Sequence, residues 1–509
     1  MRTRMSLEDY VRRILTARVY DVAVETPLAP APQLSRRLEN RVLLKREDLQ
    51  PVFSFKLRGA YNKIAHLPEA QRAAGVITAS AGNHAQGVAL SAQSLGIRAI
   101  IVMPQTTPEI KVNSVRQRGA KVVLHGDTFD EAYTHARQLE KEKGYTFVHP
   151  YDDPDVIAGQ GTIAMEILRQ HPGEIDAVFI PVGGGGIVAG MAAYIKYLRP
   201  DIRVIGVEPE DAACLKAALA AKKRVVLPEV GLFADGVAVA QIGEETFRIA
   251  RRHVDEVVTA STDEICAAIK DFFDDTRAIA EPAGALAIAG MKNWVARENA
   301  TGKTLVAVAS GANMNFDRLR HISERTELGE KREAVLSVTI PERPGAFRAF
   351  CQALGKRNIT EFNYRYSSRE RADVFVGLTL ARPGDREEII EKLRARDYPV
   401  VDMTDNEMAK LHVRYMVGGH APAEGKQELV FRFEFPERPG ALMKFLDRLG
   451  QAWNISLFHY RNHGADYGRV LAGFQVNAGE RKAVEKSLRD LGYPFVDETD
   501  NPAFVQFLR

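Results

Sequence analysis

Asp176-Ala177-Val178-Phe179-Ile180-Pro181-Val182-Gly183-Gly184-Gly185-Gly186-Ile187-Val188-Ala189-Gly190 passes from an apolar strand through four glycines into a helix former. A short strand that is apolar throughout is expected where helices cover both faces of a parallel sheet. A turn made only of glycine lets successive backbone N–H groups and a helix N-terminus close around an anion, with no side chain to hold a phosphate away. The stretch therefore predicts an α/β fold with a phosphate cup at Gly183, Gly184, Gly185 and Gly186. A plain flexible turn is the blander reading, but four glycines cost backbone entropy that an ordinary turn need not lose. The run is not the dinucleotide fingerprint, whose spacing and downstream acidic partner are not evident.

The same alternation extends in both directions. Apolar strands are expected at residues 42–45, 75–78, 98–102 and 121–124, and again at 204–208, 256–258 and 304–308, with helical segments between them. Ahead of them, Leu7, Tyr10, Val11, Ile14 and Leu15 recur at helical spacing, and Ser6 with Asp9 suits a capped start to a helix over 6–20. Lys45-Arg46-Glu47-Asp48 reads as a polar turn, and 55–63 as a helix. This α/β unit is expected to end near Thr326.

Ser54-Phe55-Lys56-Leu57-Arg58-Gly59-Ala60 carries the residue of most chemical interest. A lysine held against a phenylalanine at a small-residue helix start is partly desolvated, which lowers its pKa and makes its amine a nucleophile towards an aldehyde. Taken locally, Lys56 also suits a snorkelling surface lysine. Ser80-Ala81-Gly82-Asn83-His84 and Ser310-Gly311-Ala312-Asn313, each after an apolar strand, supply what an aldehyde cofactor with a ring and a phosphate needs beside the glycine cup. The Asn83 amide can bond a ring oxygen, and Ser80 with the helix N-terminus can hold a carboxylate. His84 equally suits a structural histidine bonded to backbone carbonyls, and Ser310 a simple helix cap.

Composition sets the outer limits. A chain of 509 residues suggests about three domains, and 45% hydrophobic with 27% charged residues is ordinary globular usage. A net charge of +3 with interspersed signs offers no nucleic-acid surface. The first ten residues hold early arginines without an apolar run, so neither a secretory signal nor a membrane span is expected and the cytoplasm is. Cys214, Cys266 and Cys351 are scattered and odd in number, against a disulfide framework or a zinc cluster.

Beyond Glu330 the pattern changes to a duplication. Pro341-Glu342-Arg343-Pro344-Gly345-Ala346 returns as Pro436-Glu437-Arg438-Pro439-Gly440-Ala441, and Tyr398-Pro399-Val400-Val401-Asp402 as Tyr493-Pro494-Phe495-Val496-Asp497, both at an offset of 95 (436 − 341 and 493 − 398). Each copy reads strand, loop, helix, strand, strand, helix, strand, a small α+β unit. Residues 418–425 are a linker by composition. Phe362-Asn363-Tyr364-Arg365 matches Phe458-His459-Tyr460-Arg461, at a point read as just after the helix and at the start of the next strand.

In this order the motifs resemble those of the serine and threonine dehydratases, pyridoxal phosphate enzymes of the tryptophan-synthase-β fold type. With its two ACT-like C-terminal copies, the chain is similar over nearly its whole length to the biosynthetic, feedback-regulated threonine deaminases. The resemblance implies a catalytic domain of two open twisted sheets over 1–328, with a small subdomain within about 55–160, then α+β ACT-like regulatory domains at 334–411 and 428–509. It implies pyridoxal 5'-phosphate held by Phe55, Lys56, Asn83, the four glycines and Ser310, with Lys56 as Schiff-base partner and catalytic base. Ser80, Ala81, Gly82 and His84 would meet the substrate. Tyr364 and Tyr460 would line effector sites for isoleucine and valine. The implied reaction turns L-threonine, and also L-serine, into a keto acid and ammonia, with a homotetramer as the implied assembly.

Two departures from related racemases sharpen this. Val207-Glu208-Pro209 is present, but Cys214 stands where their metal site has an aspartate, so no divalent metal is expected. Ala81 replaces the serine that reprotonates the opposite face, which favours elimination. Two alternatives stand beside the threonine reading: a serine dehydratase or other β-eliminating enzyme of this fold, and an amino-acid-binding regulator with a vestigial catalytic half.

Overall fold

The computed structural model describes residues 5–504 except 108, 317, 330–331, 344, 356, 366–369, 383, 407–408, 410–426, 437–440, 450–451, 462–466, 478 and 502–503. The chain divides into two compact units, 1–329 and 330–509. The linker at 418–425 lies outside the described residues.

In the first unit the buried apolar strands assemble into two sheets. The larger runs in the order Leu28–Pro30, Arg41–Arg46, Thr304–Ala309, Ala177–Pro181, Arg203–Pro209, Glu256–Ala260, parallel throughout except for its first strand. The smaller is wholly parallel, in the order Lys121–Leu124, Ala99–Met103, Val76–Ala79, Thr146–Phe147. Helices cover both faces, which is why strands such as Ala177–Pro181 are buried at every position. At the N-terminus Ser6 and Asp9 form the reciprocal cap of the helix Leu7–Leu15. That helix stops short of residue 20 because the chain turns at Thr16, and Arg18 then donates its N–H to the Asn62 side chain at 2.8 Å.

One expectation fails. Lys45-Arg46-Glu47-Asp48 is not a solvated turn: Lys45 and Arg46 end a strand, Glu47–Leu49 is a 3-10 turn, and all four side chains are buried. The charges are tolerated because they are paired inside the protein. Arg58 lies on the helix Lys56–Ala65, and its guanidinium donates to both Glu47 oxygens at 2.7 and 2.8 Å and to both Glu166 oxygens at 2.6 and 3.0 Å. Lys45 reaches Glu166 at 2.6 Å, and Tyr20 and Thr26 fill the remaining acceptor sites. Two cations and two carboxylates, all fully buried, thus bind the Lys56–Ala65 helix to the helix Pro154–Gln170. The helices also touch at their backbones: a Cβ on Gly159 would lie 2.7 Å from the Arg58 carbonyl.

The second unit is one antiparallel sheet of eight strands in the order Val400–Asp402, Glu333–Pro341, Arg371–Thr379, Ile359–Arg365, Asn454–Arg461, Tyr467–Val476, Gln427–Pro436, Phe495–Asp497. The order is palindromic in the two repeats, which join through Ile359–Arg365 and Asn454–Arg461 at the centre. The copies therefore share a sheet and a core, in which Phe347, Phe362, Phe445 and Phe458 pack edge to face or tilted. The Phe-Asn-Tyr-Arg motif closes Ile359–Arg365 and its counterpart closes Asn454–Arg461, rather than opening them. Strand pairing at the centre fixes this position: Phe362 stands opposite Tyr460 and Tyr364 opposite Phe458.

Arg58→Met leaves two buried carboxylates facing one ammonium. It should cost about 3–5 kcal/mol, read as a lower denaturant midpoint of the cofactor-free chain. A midpoint equal to the parent's would show that the network is not an anchor.

Candidate active site

Lys56 is the first residue of its helix, and Phe55, the residue before it, has no side-chain cap to offer. Its position is set instead by main-chain bonds to the Ser310 segment: Phe55 N–H donates to the Ser310 carbonyl at 3.2 Å, and Ser54 bridges Gly311. The amine packs against the Phe55 ring at 5.3 Å and has one long contact, 3.4 Å, to the Pro150 carbonyl. Burial lowers its pKa to about 8, and only the Glu281 carboxylate works in the other direction. Roughly a tenth of such amines are neutral at pH 7.

Asn83 begins the helix Asn83–Ser94 and is tied to the same place. Its Nδ2 donates to Glu281 Oε1 and its Oδ1 accepts from Asn313 Nδ2, both at 2.6 Å. Asn313 Nδ2 donates also to the Val52 carbonyl at 2.7 Å. Ser310 is buried, and its hydroxyl donates to the Ala283 carbonyl at 3.1 Å. Lys56, Asn83 and Ser310, far apart in sequence, thus share one cleft.

The four glycines lie at its edge, between Ala177–Pro181 and the helix Gly186–Leu198. Gly185, at φ 90°, has a backbone that a side chain would strain. All four are buried, and the N–H groups of Gly183, Gly184 and Gly185 donate to no acceptor among the described residues. Buried N–H groups at a helix N-terminus need an acceptor, and a phosphate supplies it. Tyr151 covers this turn: a Cβ on Gly184 would sit 2.2 Å from its ring. Ser54 Oγ, fully buried, is also without a partner among the described residues. Three free N–H groups, a hydroxyl and an amine of lowered pKa fit an aldehyde that carries a phosphate.

The turn before Asn83 is open. Ser80 accepts from the Gly82 N–H at 3.3 Å, Ala81 is half-exposed, and a Cβ on Gly82 would meet nothing within 4 Å. His84 is buried and donates its Nε2–H to the Val148 carbonyl at 3.0 Å, the structural bond weighed from sequence. Burial and the nearby Lys56 hold its pKa down to about 3, so the ring is neutral.

Glu281, missed from sequence, is the acidic group of the cleft. Burial raises its pKa to about 7. Its one sequence signal is the Glu281-Pro282 pair opening the helix Pro282–Glu298, the common proline at a first helical position. Glu208 does something different. Its two oxygens accept from the Leu215 and Lys216 N–H groups at 2.7 and 2.9 Å, so it caps the helix Cys214–Ala221. Among the described residues no three His, Cys, Asp or Glu side chains group as metal ligands.

In the second unit Tyr364 stacks on Phe347 and donates its hydroxyl to Glu342 at 2.6 Å. Asn454 of the other repeat donates to the same carboxylate at 3.3 Å, and the small cavity beside them reaches Ala346 and Ile455. Tyr460 is half-buried on the same core. The side chains of Arg365 and Arg461 lie outside the described residues.

Two largely parallel sheets beside a low-pKa lysine and a glycine anion cup form the architecture of an α/β pyridoxal phosphate enzyme. Residues 19–311 match the family described as pyridoxal-phosphate dependent enzyme, and residues 324–413 and 419–508 each match the C-terminal regulatory domain of threonine dehydratase. The biosynthetic L-threonine dehydratase of Burkholderia multivorans is 57% identical over 99% of this chain and 100% of its own length. That of Escherichia coli is 57% identical over 98% of this chain and 97% of its own. Among solved structures, the processed threonine deaminase isoform 2 of Solanum lycopersicum matches at a TM-score of 0.62 and 51% identity, over 63% of this chain and 93% of that one. The chain belongs to the family of biosynthetic, pyridoxal-phosphate-dependent threonine dehydratases with C-terminal regulatory domains.

Glu281→Gln should shift the Lys56 amine to a still lower pKa, because it removes the anion that favours the ammonium form. The pH dependence of cofactor uptake, trapped with borohydride, measures this. The midpoint is expected below the parent's, and an upward shift would exclude Glu281 as a charge partner.

Proposed function

We propose that the chain deaminates L-threonine, and L-serine in the same pocket, to the 2-keto acid and ammonia, with Lys56 as the proton-transferring group. The observation that carries this reading is the single cleft holding a low-pKa amine, three unused N–H groups and a buried neutral hydroxyl. Pyridoxal phosphate, when bound, supplies an electron sink that acidifies the substrate α-carbon. Gly183, Gly184 and Gly185 would hold its phosphate through their N–H groups, and Asn83, fixed by Glu281 and Asn313, would meet its ring oxygen. Ser310, whose hydroxyl donates to the Ala283 carbonyl, would meet the ring nitrogen with an uncharged group, which would favour elimination over a long-lived carbanion. Lys56, poised near neutrality, takes the α-proton. Ser80, Ala81 and Gly82 face the substrate carboxylate from the open turn at the helix N-terminus.

The same reading gives the duplicated unit its role. Isoleucine inhibits and valine relieves inhibition, through sites at Tyr364 and Tyr460. The Glu342 carboxylate at the seam supports this: it bonds Tyr364 of its own repeat and Asn454 of the other, so an effector that meets it can bias their arrangement. We place the working enzyme in the cytoplasm as a homotetramer. The three cysteines are unpaired, and Phe316 and Leu232, 79% and 72% exposed, are apolar area that an assembly would cover. Sedimentation of the full chain tests the assembly.

Lys56→Ala should reduce threonine deamination by about 1,000-fold or more while the chain stays folded. Turnover near the parent rate removes the assignment. A chain ended after Gly329 should keep deaminase activity and lose the isoleucine response, and Tyr364→Ala and Tyr460→Ala should each raise the half-inhibiting isoleucine concentration by about tenfold. Inhibition curves that match the parent's in both variants would put the effector sites elsewhere.

A further inference from the structure

The two histidines of the cleft differ in which nitrogen carries the proton, and the backbone decides it. His84 Nε2 lies 3.0 Å from the Val148 carbonyl, which can only accept, so the proton is on Nε2 and Nδ1 offers a lone pair. His149 is the reverse case. Its Nδ1 accepts from the backbone N–H groups of Asp152 at 2.8 Å and Tyr151 at 3.3 Å. The neutral ring must therefore carry its proton on Nε2, and that N–H meets no acceptor among the described residues.

The main chain around His149 and its ring contact with Tyr151 place it beside the cleft, with Phe147 on its other edge at 6.2 Å. The carbonyls on either side of it bind the site: Val148 holds His84, and Pro150 is the contact of the Lys56 amine at 3.4 Å. Its ring packs edge-on to Tyr151 at 4.7 Å, the ring that covers the glycine turn. The Lys56 charge is felt at both imidazoles, and burial, with Lys56 and Arg137 against Asp152 and Asp153, leaves His149 with a pKa of about 4. A neutral ring beside the cleft with a spare N–H can donate to an oxygen. The lone pair of His84 can accept from a hydroxyl but gives a carboxylate no hydrogen bond.

We propose that His149, not His84, is the imidazole that donates a hydrogen bond to the amino-acid substrate, through Nε2–H to its carboxylate or its β-oxygen. This rests on the deaminase reading, in which the substrate lies between Lys56 and the Ser80–Gly82 turn. It gives His149 two separable jobs: Nδ1 holds the turn at Tyr151 and Asp152, and Nε2 serves the substrate.

Amide side chains separate the two. His149→Asn keeps an acceptor at the Nδ1 position and loses the distal donor. His149→Gln reaches the Nε2 position with an N–H and loses the turn acceptor. In the full-length, cofactor-loaded enzyme, His149→Asn should keep the parent's unfolding midpoint and lose about ten- to a hundredfold in kcat/KM for threonine. His149→Gln should unfold earlier yet recover part of that loss. Binding of L-2-aminobutanoate, which keeps the carboxylate and lacks the β-oxygen, is followed by absorbance. Weaker binding to His149→Asn assigns the donor to the carboxylate, and unchanged binding with slowed threonine turnover assigns it to the β-oxygen. Parent-like kinetics in His149→Asn, or a loss in both variants that follows stability alone, overturns the proposal. His84→Asn serves as the contrast, since a larger kcat/KM loss there than in His149→Asn at equal stability also overturns it. If the parent chain does not deaminate threonine, the deaminase reading fails first, and the 2-aminobutanoate comparison still tests the donor.

Discussion

An amine that no carboxylate bonds is poorly held in position, so the element that carries it must be fixed by something else. Here that is the buried quartet of Lys45, Glu47, Arg58 and Glu166, two residues along the helix from Lys56. Its charges cancel and its donors and acceptors are used, which lets four ionised groups sit inside the protein. Arg58 spends its guanidinium on this network, and burial, opposed only by the Glu281 charge, lowers the Lys56 pKa.

The cleft itself follows from parallel sheets. Every strand of such a sheet delivers its chain to the same end, and helices leave from there with their N–H groups free. The smaller sheet delivers Ser80 to Asn83, and the larger delivers the glycine turn and Ser310. The hydrogen-bonded chain from Glu281 through Asn83 to Asn313 and the Val52 carbonyl links the two contributions. Asn83 is thereby held from two sides before any ligand is considered.

In the second unit symmetry does comparable work. The central strands pair so that each tyrosine stands opposite a phenylalanine of the other repeat, on the face the helices cover. The Glu342 carboxylate, with burial pushing its pKa up, takes bonds from Tyr364 in its own repeat and Asn454 in the other. A group bonded to both copies senses a shift of one against the other.

The sequence by itself determined the elements. Strand positions, the capped first helix, the glycine turn and the repeat spacing are local patterns, set by side-chain period and backbone sterics within a few residues of each other. Lys56, Asn83, Ser310 and the glycines were legible because each sits at a strand-to-helix junction with its own short signature. Lys45 to Asp48 was misread as a turn because its partners, Arg58 and Glu166, lie 11 to 121 residues away, and charge alone reads as exposure. The tyrosines were misplaced along their strands for a similar reason, since register comes from the partner strand. Glu281 and His149 carried no local signal of a role. A burial-shifted carboxylate and an imidazole with a spare N–H exist only once distant segments close around them, because desolvation and hydrogen-bond pairing are properties of the packed interior and not of the chain.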